Sequence, residues 1–87
     1  MKMIIVVLKD ESVEKVLTAL TAADFRVTRV ASTGGFFRSG STTLIIGVNE
    51  ERVDAAIDLI RQNCAPAQAG QKRATLFVVP VSHFEQI

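Results

Sequence analysis

Met3-Ile4-Ile5-Val6-Val7-Leu8 and, forty residues on, Thr43-Leu44-Ile45-Ile46-Gly47-Val48 are the two stretches whose reading decides the fold. Each is a short, nearly unbroken apolar run rich in β-branched residues, the pattern of a strand covered on both faces. Each leads into a helical pattern. After Asp10, a candidate cap, apolar residues fall at Val13, Val16, Leu17 and Leu20, the i, i+3, i+4, i+7 spacing of one helix face. After Asn49, the second candidate cap, Val53, Ala56, Ile57 and Ile60 repeat it, with Glu50 and Glu51 in the first turn, where carboxylates suit the helix dipole.

A further strand closes each half. Phe25-Arg26-Val27-Thr28-Arg29-Val30-Ala31-Ser32 alternates imperfectly and places Arg26 and Thr28 on one face by its period of two. Thr75 to Val81 is the last, and Pro80 puts it at a sheet edge or a strand end. The order βαββαβ is that of the ferredoxin-like fold. We therefore expect one α+β domain over residues 1–87, an antiparallel four-stranded sheet with two helices on one face. The first and third strands, the most apolar, take its centre.

Two helices cover one side of such a sheet, yet the first, third and fourth strands carry apolar residues on both sides. A chain of 87 residues buries only about two-thirds of its unfolded surface, and this one is 48% hydrophobic. At roughly 25 cal/mol per Å² of apolar area, a wet second face forfeits much stability. The expected cover is another copy of the chain. No apolar run reaches the length of a membrane span, and the apolar start flows into Asp10-Glu11 without the marks of a signal peptide. The single Cys64 forms no internal disulfide, so a reducing cytoplasm is the expected setting. A net charge of +1 supplies no global field for nucleic acid or anionic membrane, and any anion site must be local.

The segment Ala31-Ser-Thr-Gly-Gly-Phe-Phe-Arg-Ser-Gly-Ser-Thr-Thr43 joins the halves. Gly34 and Gly35 let backbone N–H groups approach a ligand. Arg26 and Arg38 suit phosphate oxygens, and hydroxyls at Thr28, Thr33, Ser39, Ser41 and Thr42 add neutral donors. Phe36 and Phe37 offer faces on which a base stacks. Together these are the parts of a nucleotide site. The plainer alternative is a Gly/Ser turn with solvated arginines and phenylalanines packed in core or interface, and composition alone leaves both open.

Other residues weigh less. His83 has no carboxylate or cysteine spaced as a co-ligand and reads as a surface histidine, Cys64 continues the apolar stripe of the second helix, and Lys72 and Arg73 belong to a solvated loop. There are no paired carboxylates, no Cys-x-x-Cys and no Walker loop, so the chain reads as a binding protein and not an enzyme. An acylphosphatase would want an arginine after the first strand, where Lys9-Asp10-Glu11-Ser12 stands. An RNA-binding sheet would want exposed aromatics on its central strands, which carry Ile and Val.

Met1-Lys-Met-Ile-Ile5, Phe25-Arg26, Thr33-Gly-Gly-Phe36, Arg38-x-Gly40, Thr42-Thr43, Gly47-Val48-Asn49, Arg52-Val53-Asp54, Phe77-Val-Val-Pro80-Val81, Phe84 and Gln86 together resemble the PII-like cyclic di-AMP receptor family. The resemblance implies a PII-like homotrimer that binds cyclic di-AMP in clefts between subunits, signals to a downstream protein and needs no cofactor. By matching position, Arg26, Thr28, Gly35, Phe36, Phe37, Gly47, Phe77 and Gln86 would contact ligand. Arg26 would face a phosphate, and Phe36 and Phe37 a base. Asp24 and Ser41 stand where the family usually has asparagine, and the connection from Cys64 to Arg73 is shorter than the family's. The alternative is a trimeric interaction module of the same shape that has lost or changed the nucleotide.

Overall fold

The computed structural model describes residues 1–30, 40–65, 70 and 72–87. Four strands, β1 (Lys2–Lys9), β2 (Arg26–Val30), β3 (Ser41–Val48) and β4 (Ala74–Pro80), alternate with two helices, α1 (Asp10–Ala22) and α2 (Val53–Asn63). A 3-10 turn over Glu50–Arg52 leads into α2. The sheet is antiparallel in the order β2-β3-β1-β4, so the two apolar runs lie at its centre as expected. Pro80 closes edge strand β4, where a missing N–H costs least.

One face of the sheet meets the helices. Ile4, Val6 and Leu8 of β1 and Leu44, Ile46 and Val48 of β3 pack there against Val13, Val16 and Leu20 of α1 and Ala56 and Ile60 of α2. Leu17, Val53 and Ile57, on the flanks of the two stripes, are half-buried. Ser12, buried in α1, accepts a hydrogen bond from the Ala65 N–H at 2.9 Å and ties the chain after α2 to the first helix.

The helix starts differ from the sequence reading. Lys9 holds the N-cap position of α1 and Asp10 is its first residue, whereas Asn49 does hold the N-cap position of the 3-10 turn that leads into α2; neither start has a side-chain cap bond. Asp10 instead accepts a hydrogen bond from the Thr42 hydroxyl at 2.6 Å, and its N–H donates to the Gly40 carbonyl at 2.8 Å. Both bonds tie the start of α1 to the entry of β3. Asp10 still lies at the positive end of the helix dipole.

The other sheet face has no layer over it among the described elements. Strand register arranges its side chains in three rows. Val30, Thr43, Val7 and Thr75 form the first; Thr28, Ile45, Ile5 and Phe77 the second; Arg26, Gly47, Met3 and Val79 the third. Its middle is apolar, as the sequence indicated, while its β2 end is polar. Ile5, Ile45, Met3 and Val7 are half-buried, and Phe77 keeps 54% of its surface exposed. Thr43 is buried, and its hydroxyl has no hydrogen-bond partner among the described residues.

Candidate functional site

The polar end of the open face begins where α1 stops. The Phe25 N–H returns to the Leu20 carbonyl and the Asp24 N–H to the Thr21 carbonyl, both at 3.0 Å, the paired bonds of a Schellman motif. That motif needs a left-handed residue, and Asp24 supplies it at φ 69°. Buried Phe25 then packs back beside Leu20, and β2 starts with Arg26 turned to the open face. Arg52, from the 3-10 turn, braces the corner: its guanidinium lies 4.0 Å from the Phe25 ring centroid and donates to the Ala23 carbonyl at 2.8 Å.

After β4 the chain turns across the end of the sheet. The Val81 N–H donates to the Met1 carbonyl at 3.0 Å and fixes where the tail departs. The tail and the third sheet row enclose a groove of about 840 Å³. Arg26, Thr28, Ile45 and Gly47 line it from the sheet, and His83, Phe84 and Gln86 from the tail. A smaller cavity of about 140 Å³ adjoins it and shares Met1, Arg26 and Gly47; Asp24, Phe25, Val48, Asn49 and Arg52 complete its wall. Gly47 opens the passage, since a Cβ built there meets nothing within 4 Å.

Four of the residues singled out from sequence thus share one groove: Arg26, Thr28, Gly47 and Gln86. Asp24 sits in the annex beside Arg26. Phe77 lies on the same sheet face but at its far edge, three strand spacings from Thr28, or about 14 Å. Ser41 is paired with Lys9 at the opposite end of β3, outside the groove lining. Gly35, Phe36 and Phe37 lie outside the described residues, as do Thr33, Arg38 and Ser39. Thr42 is drawn away, its hydroxyl spent on Asp10. Sequence reasoning missed His83 and Phe84 as groove residues, because nothing in a solitary histidine and a penultimate-turn aromatic reveals that the tail folds over the sheet.

The groove sets polar donors beside apolar surface. Arg26 is a fixed fork of donors and Thr28 a hydroxyl; Met3, Ile45 and Phe84 are apolar surface. Among the described residues no group of three or more His, Cys, Asp and Glu is arranged to hold a metal. None of their helices is long and apolar enough to cross a membrane. A family model described as cyclic-di-AMP receptor matches residues 1–71. The chain belongs to that family. The match takes in β1 through α2, including Arg26, Thr28 and Gly47, and stops before β4 and the tail that carry Phe77 and Gln86. Over the full length, this member of the cyclic-di-AMP receptor family is similar to a crystal structure of a functionally unknown protein from Pediococcus pentosaceus ATCC 25745. The TM-score is 0.80 at 30% identity, covering 99% of this chain and 96% of that one.

Proposed function

We propose that this receptor-family chain binds cyclic di-AMP, or a related adenine nucleotide, in the groove between the third sheet row and the tail, as a signalling protein and not as a catalyst. The observation that carries the reading is the meeting of Arg26, Thr28, Gly47 and Gln86 around a cavity of about 840 Å³, within the range of small-ligand sites. Arg26 pairs with a phosphodiester, Thr28 donates to its neighbour oxygen, and Gly47 leaves room for the ribose-phosphate ring to lie against the backbone.

The same proposal includes a homotrimer. The row Thr28, Ile45, Ile5 and Phe77 presents apolar surface with no layer over it among the described elements, and a second copy is its natural cover. In such an assembly Phe77, stranded at the far edge of its own sheet, is free to serve the groove of a neighbour. The site is then complete only between subunits.

Titration calorimetry against cyclic di-AMP, cyclic di-GMP, AMP and ATP tests this reading. Heat with cyclic di-AMP is expected; silence with every adenine nucleotide sinks it. One observation favours a second reading, an interaction module without the nucleotide: Asp24 places a carboxylate in the annex next to Arg26. That reading gives a trimer whose melting temperature ignores cyclic di-AMP, whereas a ligand confined to the native state must raise it.

A further inference from the structure

The groove's two sides are unequally supplied with positive charge. Arg26 stands at the β2 end of the third row and Val79 at the β4 end, so about 14 Å of sheet separates Arg26 from the strand that launches the tail. A cyclic dinucleotide carries two phosphodiesters, and one guanidinium does not serve both. On the tail side the groove offers His83, with Lys2 at the start of β1. The Nε2 atom of His83 lies 3.0 Å from Oε1 of Glu85, and the imidazole remains largely open to solvent, with 77% of its side chain exposed.

We propose that His83 is a further ligand-contacting residue: its imidazolium donates to a phosphodiester of the cyclic dinucleotide, and affinity therefore rises as pH falls. The inference rests on the groove being the nucleotide site. The Glu85 carboxylate accepts only, so it holds a proton on Nε2. In the neutral ring this leaves Nδ1 as a bare lone pair, which repels a phosphate oxygen. Protonation turns Nδ1 into a second donor and adds a full positive charge, while Glu85 keeps the ring in place. Glu85 is the charged group held against the ring, and Lys2 and Arg26 are the other charged side chains that line the groove, both from the sheet side.

The chain has one histidine, so its ring protons give one set of NMR signals. On saturation with cyclic di-AMP the midpoint of that titration should move up by about 0.5–1 pH unit, with a matching threefold to tenfold tightening of Kd between pH 8 and pH 5.5. His83→Ala should flatten the pH profile, and His83→Lys should keep the tight binding at pH 8. Because the side chain is exposed, both variants should fold. An unmoved midpoint, or superimposable profiles for the parent and His83→Ala, overturns the role of His83 while leaving the groove as the binding site. Absence of heat at both pH values overturns the site itself, and His83 with it.

Discussion

At Asp24 the backbone is left-handed because the Schellman turn demands it, and the same residue faces the annex of the groove. Asparagine tolerates that conformation equally well and offers a donor beside its acceptor, without a charge to repel phosphates. Asp24→Asn should therefore leave the melting temperature within a few degrees and tighten cyclic di-AMP binding by about twofold to tenfold in calorimetry, the worth of one hydrogen bond. Arg26→Ala should weaken binding by about 1.5–3 kcal/mol, ten- to a hundredfold, as expected for a lost charge-assisted pair; an unchanged Kd removes Arg26 from the site. Gly47→Val provides the steric control. Nothing stands within 4 Å of the new Cβ, so the fold should be retained while the groove floor fills and binding disappears. Thr43→Val exchanges a buried hydroxyl that has no partner among the described residues for a methyl of the same shape and should raise the unfolding free energy by about 1 kcal/mol, measured in urea.

The elements meet at polar clasps that pattern reading does not reveal. Arg52 joins the turn before α2 to the turn after α1, through the Phe25 ring and the Ala23 carbonyl. Arg52→Ala should cost about 1–2 kcal/mol, and thus lower the melting temperature by roughly 5–15 °C for a chain of this size. At the other end of α2, burial pushes the Cys64 thiol up, with the Arg73 charge partly opposing it. A thiol raised in the native state favours its neutral form, so its stabilising contribution is full below the unfolded-state value and fades as pH climbs through the native one. Denaturation between pH 7.5 and 10 should lose stability more steeply in the parent than in Cys64→Ala, and equal slopes refute this. Strand and helix positions were legible because period two and period 3.6 persist through Met3–Leu8 and Val13–Leu20. The helix starts were not. Asp10 and Asn49 have the right chemistry for caps, yet Asp10 is claimed by Thr42, thirty-two residues away in sequence and invisible to a local rule.

For the whole molecule, the proposed trimer would tie assembly to ligand binding through the open sheet face. Ile5 and Ile45 point away from the helices, so Ile5→Lys spares the core and should disperse the assembly. Light scattering should then report a monomer where the parent reports a trimer, and nucleotide binding should fall with it; a parent that is monomeric at micromolar concentration ends the trimer proposal. The sequence carried this face, since apolar residues recur on both sides of three strands. It carried the groove only in part. Arg26 and Thr28 follow from strand parity, but the placing of the tail near them includes a main-chain bond between Val81 and Met1, which no side-chain pattern encodes. That bond has a practical corollary for anyone purifying the protein. It holds Met1 at the rim of the crevice, so a polyhistidine leader fused ahead of Met1 would emerge at the mouth of the proposed ligand groove and bring extra imidazoles to it. Material with such a leader left uncleaved will report on the handle as much as on the receptor.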